Sequence, residues 1–199
     1  MWKRAVGGVL ALGALVVGGA VAYGASQPKT WHVERSVIAA AAPQDVVPLL
    51  HDLARWQGWV GSDGMTFTLS DPSAGVGASY TWQSPGSHGK LTLTAADETG
   101  VAYEMTMEDS ETPARGSVRV APDGNATRVT WTDEGDFSAM GPLGGLMVPM
   151  MEKSLGPHFD GALKKLAGLA EKAAAERVEA EKAASAATPP TATDAPPAP

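Results

Sequence analysis

The sequence predicts an α+β fold in which an antiparallel sheet of about seven strands packs around a long C-terminal helix, with a membrane helix in front. Three observations predict it. From Gly64 onward about seventy residues alternate with period two between explicit turns, the pattern of an antiparallel meander. Phe159, Leu163, Leu166 and Ala170 then recur at helical spacing, which supplies a cover for the dry face of that sheet. The chain starts with Lys3 and Arg4 and an uncharged run of 23 residues from Ala5 to Gln27.

That run spans about 34 Å as a helix, enough for a hydrocarbon core about 30 Å thick. It holds six glycines, which membrane helices tolerate better than soluble ones. Lys3 and Arg4 on the cytoplasmic side place the rest of the chain outside a single-pass inner membrane, facing the periplasm or exterior. A cleaved secretory signal with small residues near Ala20 to Ala25 is the alternative, and it gives a secreted domain. Residues 1–27 are therefore read as anchor or signal.

Next, Trp31, Val33 and Val37 alternate with polar residues and predict a first strand. Pro43 suits a first helical turn, and Val46, Val47, Leu49, Leu50, Leu53 and Trp56 follow at helical spacing, with Pro48 splitting the segment into two short helices. The predicted meander strands are Met65 to Leu69, Val76 to Gln83, Gly89 to Ala96, Val101 to Glu108, Ala114 to Ala121 and Ala126 to Phe137. Asp71-Pro72-Ser73, Ser84-Pro85-Gly86, Glu98-Thr99-Gly100, Thr112-Pro113 and Pro122-Asp123-Gly124-Asn125 separate them, and Asp-Gly is a strong hairpin signal. Parity puts Tyr80 and Trp82, then Leu91, Leu93 and Ala95, then Val101, Tyr103, Met105 and Met107, then Val129 and Trp131 on the dry face. Residues 171–187 are rich in Ala, Glu and Lys and extend the last helix into solvent; residues 188–199 are too proline-rich for helix and too poor in apolar bulk for a core.

Composition narrows the function. The chain has 199 residues, no cysteine and a net charge of -7, so thiol chemistry and thiolate metal sites are excluded and no basic patch invites nucleic acid. His51 and His158 have no second ligand at metal spacing, and Gly75-Val-Gly77 lies between strands, where no phosphate loop forms. No metal and no cofactor is expected.

The order of elements is that of the helix-grip (START/Bet v 1-like) fold, a curved sheet wrapped around the last helix. Arg55-Trp56-Gln57-Gly58-Trp59, Asp71-Pro72, Gly75-Val-Gly77-Ala-Ser-Tyr80-Thr-Trp82, Gly89-Lys-Leu-Thr92, Thr130-Trp131 and Gly156-Pro157-His158-Phe159-Asp160-Gly161 resemble the SRPBCC superfamily, within it the polyketide cyclase/dehydrase and lipid transport group. The resemblance covers roughly residues 30–170. Members of the group often carry Ser-Pro after the second Trp, whereas Val60-Gly61-Ser62 stands here, implying a different entrance loop.

The resemblance implies an apolar cavity, and Tyr80, Trp82, Tyr103, Met105, Met107 and Trp131 on the dry face are its candidate lining, with plain core packing as the alternative for each. Met140, Leu143, Leu146, Met147 and Met151, among Gly and Pro, read as a pliable flap or a simple plug, with Phe159 just behind. Trp59, with Trp56, either guards a rim or caps the short helices. Asp133 shares the dry-face parity of Val129 and Trp131 and is the acid/base candidate, unless solvent at the strand end accounts for it. Three functions remain open. The first is membrane-tethered binding or transport of a hydrophobic small molecule or lipid; the second is a cyclase/dehydratase-like enzyme; the third is a non-catalytic interaction module of unknown protein partner.

Overall fold

The structure, a computed structural model, describes residues 16–61, 64–107 and 112–187. Residues 16–26 form helix α1, and a short connection leads into β1 (Thr30–Ala39). Two short helices follow, α2 (Pro43–His51) and α3 (Leu53–Trp56), and then β2 (Thr66–Leu69), β3 (Ser79–Ser84), β4 (Ser87–Asp97), β5 (Gly100–Met107), β6 (Ala114–Asp123) and β7 (Ala126–Asp136). A 3-10 turn, Ser138–Leu143, leads into α4 (Gly144–Ala187). The seven strands make one antiparallel sheet in the order β1-β7-β6-β5-β4-β3-β2, so every neighbour but one pair is a sequence neighbour and β1 closes onto β7.

Local chemistry accounts for the elements. Pro43 opens α2 where its missing N–H costs no helical bond. The break before α3 falls at Asp52, not at Pro48 as predicted: Asp52 Oδ1 accepts from Ala54 N at 3.0 Å as an N-cap and from Ser73 Oγ at 2.8 Å. Two-residue turns join β3 to β4, β4 to β5 and β6 to β7. The third strand begins at Ser79 and not at Val76, because Gly75 and Gly77, both at positive φ, turn the chain there. A bulge between Leu93 and Ala95 flips the alternation of β4, so Ala96 and not the expected Ala95 packs on the core.

One 44-residue α4 replaces the expected flap and helix. Despite Pro149 and Pro157, its first turns are helical because Val148, Met151 and Leu155 pack against the core, and packing outweighs propensity. Phe159, Ala162, Leu163, Leu166, Ala167 and Ala170 form its buried stripe, and each large apolar side chain there contributes about 1.5–3 kcal/mol. Arg35, on the inward parity of β1, passes α4 at Gly156 and pairs with Glu152 and, at 3.6 Å, Asp160.

The region expected to run free into solvent stays docked for two further turns. Glu171 accepts from Ala40 N at 3.0 Å, and Arg177 grips Asp45 of α2 through two bonds of 2.8 and 3.1 Å. Residues 188–199 lie outside the described residues.

So does the front of the predicted membrane helix, residues 1–15. The described remainder, α1, ends where Gly24 and Gly145 bring it against the start of α4: a β-carbon on Gly24 would stand 3.0 Å from Leu146 Cγ. Among the described residues no helix is long and apolar enough to cross a membrane, so the expected span over residues 5–27 is not shown.

Candidate functional site

Between the concave face of the sheet and α4 lies a cavity of about 240 Å³. Tyr80, Trp82, Leu91, Tyr103, Met105, Met107, Trp131 and Asp133 line it from the sheet. Trp56, Val60, Gly61, Met65 and Phe67 line it from α3, the following loop and β2, and Leu155, His158 and Phe159 from α4. Met65 and Met107, 40% and 44% exposed, mark its mouth, and His158, also exposed, lines it near Trp131.

Aromatic rings set the shape. Trp131 stacks on Phe159 with centroids 4.1 Å apart and meets the edge of Trp59 at 5.2 Å. Trp56 is fixed by donating Nε1–H to the Leu50 carbonyl at 2.8 Å and touches Tyr103 edge-on at 5.7 Å. Phe67 meets Tyr80 at 5.3 Å. Such contacts hold the rings in place when little else fills the space.

The polar part of the wall is built across three strands. Tyr103 on β5 stands opposite Gly116 on β6, which in turn stands opposite Asp133 on β7. A β-carbon at Gly116 would land on Asp133 Oδ1 and on the Tyr103 phenol, so the glycine is what lets the two side chains meet over the intervening strand. Tyr103 donates its hydroxyl hydrogen to Asp133 Oδ1 and accepts one from Trp131 Nε1 at 2.7 Å. Asp133 is 4% exposed.

Burial governs the protonation of this group. It pushes the Asp133 carboxyl from the ordinary 3.8 up to about 7, against the opposite pull of hydrogen bonds from Tyr103 and Trp131. Burial, with the nearby Asp133 charge, also raises the Tyr80 and Tyr103 phenols above their usual range. The site thus offers a carboxyl that exchanges its proton near neutral pH, held by a phenol that stays protonated. Among the described residues no three His, Asp or Glu side chains converge as metal ligands would.

The expected residues divide into two groups. Tyr80, Trp82, Tyr103, Met105, Met107, Trp131, Phe159 and Asp133 lie together on the cavity wall. Trp59 does not: it is wholly buried beneath the wall, between Trp56 and Trp131. Nor do Met140, Leu143, Leu146, Met147 and Met151. Met140 and Leu143 are exposed in the 3-10 turn, and the other three sit on the first turns of α4, away from the lining. Phe67, Leu91, Leu155 and His158 are lining residues that sequence reading passed over. For Leu155 and His158 a signal existed, since they precede Phe159 by four and one residues on the same helix.

Comparison with known proteins follows this geometry. A family model described as "Polyketide cyclase / dehydrase and lipid transport" matches residues 30–171. No curated protein matches the chain. Among solved structures, that of a Thermobifida fusca protein aligns with a TM-score of 0.54 and 24% identity over 73% of this chain and 95% of its own. Ara h 8.0201 aligns with a TM-score of 0.53 and 9% identity over 71% and 97%. The di-domain ARO/CYC StfQ of the steffimycin biosynthetic pathway aligns with 0.55 and 14% over 75% and 52%. At these identities the structures establish the fold alone, a curved seven-stranded sheet with a long C-terminal helix of the Bet v 1-like kind. The family match covers most of the chain, and the protein belongs to the polyketide cyclase/dehydrase and lipid transport family.

Proposed function

We propose that the protein binds or carries a hydrophobic small molecule or lipid in the cavity between the sheet and α4. The observation that carries this reading is the cavity wall itself, where aromatic and Met side chains surround space and only a few polar groups intervene, the composition of a small-molecule site. Burial of ligand surface there supplies about 25 cal/mol per Å². Native mass spectrometry of protein purified from cells tests it: a co-purifying hydrophobic molecule is expected, and protein that is empty in every preparation counts against it.

We further propose that residues 5–27 tether the domain to a membrane with the domain on the outer side. The apolar run behind Lys3 and Arg4 supports this, as do Val16, Val17 and Tyr23, all exposed on α1. Alkaline extraction of membranes should leave the full chain in the pellet and release a chain lacking residues 1–27; a mature N-terminus beyond residue 22 would support secretion instead.

A cyclase or dehydratase is the second reading, favoured by one observation. Asp133, a carboxyl that titrates near neutrality, lines the same cavity and is positioned by Tyr103. Asp133→Asn should then abolish turnover and leave binding intact. Turnover that survives removes Asp133 as the acid/base.

A further inference from the structure

Among the described residues, the cavity wall carries a carboxyl at one point and no lysine or arginine to match it. Trp131 donates to Tyr103, and Tyr103 donates to Asp133, so the network runs toward the carboxyl. A carboxylate has about four acceptor positions, of which the Tyr103 hydroxyl and the neighbouring Trp131 indole N–H occupy at most two. Apart from Asp133, the polar groups among the described lining residues are the Tyr80 and Tyr103 hydroxyls, the Trp indoles and His158.

Two selections follow from that charge balance. A ligand that placed a carboxylate or phosphate inside would meet the Asp133 carboxyl in a poorly hydrated space with no basic side chain to offset the repulsion. A ligand hydroxyl or amine would instead donate to Asp133, and a protonated amine would also lie among the Trp56 and Tyr80 rings that line the same cavity. We infer that the ligand is a hydrophobic molecule bearing a hydrogen-bond donor, hydroxyl or amine, which seats on Asp133, and that molecules presenting a carboxylate or phosphate to the cavity are rejected. This rests on the binding reading above.

A matched series on one ring system tests it: naphthalene, naphthol, naphthylmethylamine and naphthoate, titrated at about pH 8 into the full chain. Trp56, Trp82 and Trp131 lie on the wall, so their fluorescence reports occupancy. Naphthol and the amine should bind about 10- to 100-fold more tightly than naphthalene, the range of a hydrogen bond to a charged group, with naphthoate weakest. Asp133→Leu should erase that preference, so that naphthol and the amine bind the variant no more tightly than naphthalene does. Asp133→Asn should keep the naphthol preference through its amide carbonyl and lose that for the amine. Should Asp133→Leu fail to fold, the wild-type series and Asp133→Asn decide. Naphthoate binding as tightly as naphthol, or a donor preference that survives in Asp133→Leu, overturns the inference and leaves hydrophobic binding standing. If naphthalene and every other probe fail to bind, the binding reading falls and this inference falls with it.

Discussion

Asp133→Asn is expected to leave stability nearly unchanged at about pH 4 and to raise it by about 4 kcal/mol at about pH 8. The magnitude comes from burial, which lifts the carboxyl from 3.8 to about 7 in the folded protein. Each tenfold change in proton affinity is worth about 1.36 kcal/mol, so the folded state loses about 4 kcal/mol relative to the unfolded chain across that window. The sign is fixed by the direction. A folded value above the unfolded one means that the native state holds the proton more tightly; stability is therefore highest below about pH 4, falls as pH rises toward 7, and is flat beyond. Asn has no proton to lose, and its carbonyl still accepts from the Tyr103 hydroxyl. Among the described residues, Tyr103 on β5 donates to this carboxyl, Trp131 on β7 donates to Tyr103, Tyr80 on β3 feels its charge, and His158 on α4 lines the same cavity. Both phenols titrate above this window, and His158 is common to the two proteins, so the difference isolates the carboxyl. Urea unfolding followed by tryptophan fluorescence at steps from about pH 4 to 8 measures it. Two stability curves that stay parallel across the window would refute the reasoning, because Asp133 would then ionise as freely in the native state as in the unfolded chain.

Two substitutions and two truncations probe the same structure. Gly116→Ala drives a methyl group into Asp133 and the Tyr103 phenol, and the overpacking should cost about 1–3 kcal/mol by urea unfolding, with the pH slope of stability altered as well. Arg177→Ala removes the cation from the Asp45 carboxylate, whose side chain is 5% exposed, and should lower stability at neutral pH in urea unfolding. Hydrogen bonds from Arg177 hold Asp45 below the usual carboxylate range, so its contribution exists above that range and is lost as pH falls through the folded value; the gap between variant and wild type should narrow in acid. Truncation after Lys182 should leave the thermal midpoint unchanged, whereas truncation after Ala170 removes Glu171 and Arg177 and should lower it by several degrees in circular dichroism.

Much of the architecture was legible because its signals are local. The two-residue turns at Pro85-Gly86, Glu98-Thr99 (followed by Gly100 at positive φ) and Gly124-Asn125 fix the pairings β3–β4, β4–β5 and β6–β7 without reference to anything distant. The stripe from Phe159 to Ala170 follows from its spacing. What failed were places where a distant partner decides. Met140 to Met151 has the glycines and prolines of a loop, yet from Gly144 it is helix because the core takes up Val148 and Met151. Arg177 looks like one more charge on a solvated helix until α2 is seen to bring Asp45 to it. Arg35 likewise sits at an inward position that alternation assigns to an apolar residue, and only the gap at Gly156 explains how α4 admits it.

The site shows the same division. Parity put Asp133 on the inner face beside Trp131, but its position near a strand end favoured solvent as the explanation. Pairing settles the point: β7 runs on to Asp136 opposite Thr30, so Asp133 lies three residues inside the end, flanked by Val33 and Gly116. Gly116 itself reads from sequence as a weak spot in a strand, since glycine adds no packing there. Only the row Tyr103, Gly116, Asp133 gives it a reason, and that row exists only in the folded register. Taken together, these residues run against folding economy. A leucine at the position of Asp133 would carry no ionisation penalty, and the penalty worked out above is a sizeable part of the 5–15 kcal/mol by which small proteins are usually stable. A chain that departs from the stable choice does so where another requirement acts, and here the departure falls on the wall of the cavity, beside a phenol and an indole that fix the carboxyl in place. The cavity alone would suit any apolar guest; selection among guests is the requirement we infer for the buried carboxyl.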